Sequence, residues 1–329
     1  MKSVFVSLYL MAAVAMKIRR RSLIHRWLTG FLLLMLSTAS AESMNGFRLD
    51  DALIPVNDIK KGGPPRDGIP SLDYPEFVAA DDATYLKDRD RVLGVSINGT
   101  ARAYPIRILN YHEIVNDVIG GTPVVVTYCP LCGSGTAFEA TINDRGHEFG
   151  VSGLLYNSDV LMYDRETGSL WSQLMVRAVT GPMKGTRLQQ LPLSNSSWEE
   201  WVERHPDTRV LSNDTGYSRN YRVDPYPNYG RDGRLYFPVS NSSKKYPRKE
   251  IVMGLEIDGR FKAYPFKELK KGADRFDDEF AGETFSVEFD SKHRTARVIN
   301  ADGSETPTTM AFWFAWYAFH PETDIYKAP

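Results

Sequence analysis

Cysteine is nearly absent: 329 residues hold two, Cys129 and Cys132. A disulfide framework of the kind that staples small secreted domains is therefore excluded, since one pair at most can close. Long apolar runs are missing too. The ten residues Met310–Phe319 form an apolar stretch that is aromatic and too short, because a bilayer-spanning helix needs roughly 20. There is no basic excess, with 40 Lys and Arg against 41 Asp and Glu, so the concentrated positive patch that nucleic-acid binding requires is lacking. A nucleophile elbow, a phosphate-binding Gly loop and a His-Glu-x-x-His helix are also absent, which removes the commonest hydrolase, nucleotide-binding and zinc-protease signatures.

The amino terminus has an organisation of its own. Lys17, Arg19, Arg20 and Arg21 precede an apolar core from Trp27 to Leu36, and Ala39, Ser40 and Ala41 follow. A basic segment, a short apolar segment and small residues at a cleavage point make residues 1–41 an export signal. The signal is complete from Met16, so the start at Met16 is an alternative. The Arg20-Arg21 pair is compatible with twin-arginine export, but a general secretory signal is the preferred reading. Residues 1–41 carry six Lys or Arg and no acid, and removing them leaves 34 basic against 41 acidic side chains, a net charge of −7. The expected product is exported to the periplasm or the extracellular space, with no stable membrane span. Its partner would be a small ligand or an envelope protein.

The remaining chain repeats itself. Val92, Gly94, Ile97, Gly99, Ala103, Tyr104, Pro105 and Leu109 recur as Val252, Gly254, Ile257, Gly259, Ala263, Tyr264, Pro265 and Leu269, a constant offset of 160. Gly121–Tyr128 matches Gly282–Phe289, and Trp201, His205, Pro206 and Thr208 match Trp316, His320, Pro321 and Thr323. This pattern reads as an internal duplication. The expected division is an extension over 42–90, a first repeat over 91–215, a Tyr/Pro/Gly-rich connector over 216–250 and a shorter second repeat over 251–329. Each repeat should open with two strands around a hairpin turn, at Asn98-Gly99 or Asp258-Gly259. Proline then ends the second strand because it cannot donate to a ladder. Apolar positions from Ile106 to Val118 predict a short helix. Val124–Tyr128 reads as a buried strand with a partner over Thr136–Ile142. An insert peculiar to the first repeat reads as two strands joined by Asp164–Gly168. The fold class is α+β and β-rich, with two related halves.

Duplicated halves share what the fold needs, so residues found in one half alone are the better candidates for chemistry. Asp290 stands opposite Cys129, His293 opposite Cys132, and Lys271, Gly272 and Ala273 opposite Tyr111, His112 and Glu113. Cys129 and Cys132 lie between two expected strands, with Gly133 and Gly135 following and no helix N-terminus to activate a thiol. That setting resembles the metal knuckle of rubredoxins and zinc ribbons, where two thiolates converge on one ion. Zinc takes three protein ligands in an open site and four in a closed one, so His or carboxylate must complete it. His112, on the expected helix just before the Cys-bearing strand, is the candidate third ligand for zinc or copper. His205 and His320 occur in both halves and read as structural turns. Glu113, Tyr156, Asn157, Asp159, Asp164, Arg165, Trp171 and Gln173 are candidate ligand-binding residues. Two rival readings stay open, a thiol–disulfide oxidoreductase of the cell envelope and a non-catalytic ligand-binding module with a structural disulfide.

Three stretches carry a resemblance: Ala103 to Asp117, with Tyr111-His-Glu113; Val126 to Gly133, with Cys-Pro-Leu-Cys; and Ser152 to Gln173, with Tyr163-Asp-Arg-Glu-Thr-Gly-Ser-Leu-Trp171. Over about residues 80 to 325 the chain resembles an exported family known as domain of unknown function three-one-seven-nine. The resemblance implies prokaryotic export and brings no established activity, so it does not decide between metal and thiol chemistry.

Overall fold

The computed structural model describes residues 42–329. The export signal over 1–41 and the alternative start at Met16 lie outside the described residues. Residues Ser43–Pro329 form one compact unit that is rich in short strands and poor in helix.

After strand β1 (Ile59–Lys61), the first regular hairpin is β2 (Arg91–Ile97) and β3 (Thr100–Pro105). Asn98 and Gly99 both take positive φ, 51° and 75°, the geometry of a type I′ turn, whose twist matches the strands. Helix α1 (Ile106–His112) follows Pro105 at once. It is shorter than the expected helix to Val118. The chain turns at Glu113, whose φ is +58°, and continues as β4 (Ile114–Ile119), paired antiparallel with β5 (Thr122–Cys129). The β-branched residues Ile114, Val115, Val118 and Ile119 fit a pleated surface better than a helix. Strand β6 (Ser134–Glu139) completes a meander with β5.

That meander divides the core. Ile114, Val125 and Phe138 face one apolar cluster, while Val115, Val124, Val126 and Ala137 face another. The period of two is that of a strand buried on both faces. Beyond β6, the hairpin β7 (Phe149–Tyr156) and β8 (Asp159–Asp164) pairs with β1 on one side and with β9 (Leu170–Ser172) on the other. Asn157 and Ser158 form its turn at φ 51° and 66°. Residues 154–173 therefore run through three strands rather than the expected two, and Asp164–Gly168 joins the last two. Strand β10 (Ser194–Ser197) joins β2, helix α2 (Trp198–Arg204) follows, and β11 (Arg209–Leu211) lies parallel to β3.

The same order returns after an irregular stretch. Strands β12 (Ile251–Ile257) and β13 (Arg260–Pro265) precede helix α3 (Phe266–Leu269) and the meander β14 (Arg275–Phe280), β15 (Glu283–Asp290) and β16 (Thr295–Ile299). Then come β17 (Thr308–Phe312), helix α4 (Trp313–Phe319) and β18 (Asp324–Ile325), which is parallel to β13. Detail recurs with order. Tyr104 donates to Asp117 at 2.6 Å and Tyr264 to Asp278 at 2.8 Å. The indoles of Trp201 and Trp316 donate to Thr208 and Thr323. A Cβ on Gly94 would lie 2.2 Å from Trp201, and one on Gly254 2.1 Å from Trp316. One sheet runs β18-β13-β12-β17-β6-β5-β4 and so carries strands from both stretches.

Candidate functional site

Residues 130–133 are the turn between β5 and β6, with Cys129 the last residue of β5. Gly133 closes it at φ +60°, where a Cβ would press against Phe312 at 2.9 Å. The Phe312 N–H donates to the Cys132 carbonyl at 2.8 Å, pinning the turn to β17. No helix begins here, as the flanking residues predict. At the corresponding turn between β15 and β16, Asp290 accepts the His293 N–H at 2.9 Å and closes the bend with a carboxylate. The Cys129 turn has thiols in those places.

The tip of the β7–β8 hairpin meets the sulfurs. The carbonyl of Ser158 lies 3.3 Å from Cys132 Sγ and 3.7 Å from Cys129 Sγ. Asp159 follows it, and ligand atoms of Cys129, Cys132 and Asp159 all lie within 4.8 Å of one another, each residue buried. Asp159 Oδ2 accepts the Leu174 N–H at 3.1 Å, while the buried Oδ1 has no hydrogen-bond partner among the described residues. Burial pushes the Asp159 carboxyl up to about 7, against the pull of the Leu174 N–H. Burial, then the hydrogen bond and charge of Cys129, push the Cys132 thiol well up. The pocket thus favours neutral groups unless a cation enters it. Beneath the turn, Gln173 accepts from Ser134 Oγ at 2.6 Å and donates to Thr127 Oγ1 at 3.3 Å, tying β9 to β5 and β6.

Glu113 comes to the same place from the other side. Its positive-φ turn after α1 brings it to a cavity of about 140 Å³ that is also lined by Cys129, Leu155, Val160, Tyr226 and Phe237. Burial, then the charge of Asp159, raise its carboxyl to about 8. The irregular stretch closes over the cavity and is fastened to the hairpin tip. Ser158 Oγ donates to the Phe237 carbonyl at 2.9 Å, and the Ser240 N–H donates to Asn157 Oδ1 at 2.7 Å. Lys249 places its buried ammonium 3.0 Å from the Tyr229 ring centroid, with no hydrogen-bond partner among the described residues. Burial lowers it to about 8.

A family model described as protein of unknown function (DUF3179) matches residues 66–323. The chain belongs to that family. Among curated proteins and among solved structures nothing matches. The DUF3179 region contains Glu113, Cys129, Cys132, Asp159 and Lys249, whereas strand β1 precedes it.

His112 lies outside the group of Cys129, Cys132 and Asp159. Its Nδ1 pairs with the Pro70 carbonyl at 2.8 Å and its Nε2 with the Tyr221 hydroxyl at 2.6 Å, so both ring nitrogens are taken and neither meets the sulfurs. The ring fastens α1 to the stretch around Tyr221. The third group beside the sulfurs is Asp159, which the sequence offered only as a ligand-binding residue. Its neighbours divide by role. Asp164 is spent on Thr167 and the Trp171 indole, Arg165 pairs with Asp73 at 3.0 Å, and Trp171 packs on Phe149. Tyr156 stands edge-on to Phe319, and Asn157 holds Ser240. Tyr226, Tyr229, Phe237 and Lys249 have no motif to single them out; the aromatic density of residues 216–250 is their one signal. His147, Asp164 and Glu166 also converge within 4.8 Å, but the Asp164 oxygens are already engaged and Glu166 is exposed. No helix of the described residues is long and apolar enough to cross a membrane.

Proposed function

We propose that the protein is exported by its amino-terminal signal and binds zinc through Cys129, Cys132 and Asp159, with a fourth position open toward the cavity. The observation behind this reading is the burial of two thiols and a half-unpaired carboxyl within 4.8 Å of one another. Such groups are costly as isolated ions in a dry site and stay protonated without a cation. A dication replaces the protons and gives Asp159 Oδ1 a partner. Zn–S distances of about 2.3 Å and Zn–O distances of about 2.0–2.2 Å require the three side chains to close in modestly. A carboxylate beside two thiolates suits zinc better than cuprous copper, which prefers soft donors throughout. Bound there, zinc would polarise an oxygen in the open position.

The repeated order of elements supports a duplicated scaffold in which only the leading half carries the Cys129–Cys132 turn, the trailing half having an Asp290-closed bend there. Elemental analysis of protein purified from periplasm tests the proposal: about one zinc per chain is expected. Cys129→Ser, Cys132→Ser and Asp159→Asn should each lose the metal, and His112→Asn should keep it. Zinc, copper and iron all below about a tenth of an equivalent would end the proposal.

One observation favours a second reading. Asp159 lies beside both thiols, where a carboxylate can take a proton from Cys132 as the pair exchanges with a partner disulfide. The pair would then be oxidised and the partner reduced to two thiols. A reduction potential below about −300 mV would instead mark an inert structural bond.

A further inference from the structure

We infer that the cavity beside Cys129 is a binding site for a small neutral molecule with an apolar body and a carboxamide-like head, the head lying against Glu113. This deepens the zinc reading, on which it rests only for the second partner of the head's oxygen.

Size sets the first limit. A volume of about 140 Å³ is close to that of an engineered cavity of about 150 Å³ that holds one benzene ring. One ring or a short branched chain fits inside it. Leu131, Val151, Leu154, Leu155, Val160 and Phe237 supply the apolar wall. No Lys, Arg or His lines it, so an anion would meet Glu113 and Cys129 with nothing to pair it. A cation would leave water for a largely aliphatic wall, a cost that a neutral molecule avoids.

Glu113 sets the polarity of the head. Glu113 is 8 % exposed and lines the cavity, and its carboxyl opens onto that cavity rather than being sealed within the protein. Its backbone adopts a left-handed φ of +58° without being glycine, a strain that persists where the surroundings or a function demand it. A carboxyl opening onto an apolar cavity offers a hydrogen-bond partner to the polar head of a ligand. A primary amide suits it in either protonation state: its N–H donates to a carboxyl oxygen, and its carbonyl accepts when the carboxyl carries a proton. The cavity's position next to Cys129 then brings that carbonyl toward the open metal position.

The test uses zinc-loaded full-length protein and four probes of one size: benzamide, toluene, benzoate and benzylammonium, each titrated by calorimetry at pH 7. Benzamide should bind at least tenfold more tightly than the other three. Glu113→Ala should reduce benzamide affinity at least tenfold, and Glu113→Gln, which keeps a donor and an acceptor, should retain most of it. Leu155→Phe or Val151→Phe, which fill the cavity, should abolish binding with the metal content unchanged. Equal or tighter binding of toluene, benzoate or benzylammonium overturns the inference, as does benzamide binding that survives either filled cavity. Metal content measured on the same samples separates the two ideas. Benzamide binding by protein that takes up no zinc sinks the zinc reading alone; one zinc per chain without benzamide binding sinks this one alone.

Discussion

At the scale of single residues, the site turns on carboxyls held neutral by burial. Asp159 stands at about 7 in the folded protein, whereas an unfolded aspartate sits at about 3.9. Between those values the folded, metal-free chain keeps a proton that the unfolded chain has released, so rising pH favours unfolding. Asp159→Asn removes that dependence. Its stability relative to the unaltered metal-free protein should climb from about pH 4 to about pH 7, by up to about 1.4 kcal/mol per unit, and level off outside that window. Urea midpoints at pH 4, 5, 6, 7 and 8 check this; a constant difference across them would show that Asp159 is ionised throughout. The two cysteines were legible as a pair because nothing else in the chain resembles them. The third group was not. His112 and Asp159 are both donors by type, and it is Asp159 that lies beside the thiols, while Pro70 and Tyr221 occupy both nitrogens of the histidine. Partners 42 and 109 residues away leave no trace in local pattern.

At the scale of elements, each repeated hairpin is held by an indole lying on a glycine. Gly94→Ala would drive a methyl into Trp201, and Gly254→Ala into Trp316. Both contacts are with rigid buried rings, so each substitution should destabilise by about 1–3 kcal/mol, the usual range for overpacking, or somewhat more. Chemical denaturation measures it, and a change under about 0.5 kcal/mol at either site would place that indole elsewhere. The hairpins themselves were readable, because Asn98-Gly99 and Asp258-Gly259 state their turn type in two letters. The helix after Pro105 was readable only in its first half. Ile108, Leu109, Ile114 and Val115 fit a helical face as well as two separate elements, and the break depends on one left-handed residue, Glu113, whose type does not announce it. The β1–β7 pairing joins residues about ninety positions apart, beyond the reach of any local pattern.

At the scale of the whole molecule, the Cys129, Cys132 and Asp159 group joins three separate segments: the β5–β6 turn, the β7–β8 tip and, through Ser158 and Asn157, the stretch from Phe237 to Ser240. A ligand that binds the folded state alone adds to its stability by mass action. Chelation should therefore lower the melting temperature of the unaltered protein by at least about 5 °C. The Cys129→Ser variant should melt at the lower temperature with or without chelator. Equal melting of loaded and chelated unaltered protein would contradict a structural role for the ion.

The carbonyl of Cys132 takes its hydrogen bond from Phe312, at the threshold of the last helix, while His293 Nδ1 meets Ser197 Oγ at 2.6 Å, at the threshold of α2. Each bend is thus braced by the far part of the polypeptide, like two hands gripping one another's wrists. Neither part should therefore fold as a free-standing module. Cutting the gene between them should yield two insoluble fragments, and only their co-expression should restore a folded protein.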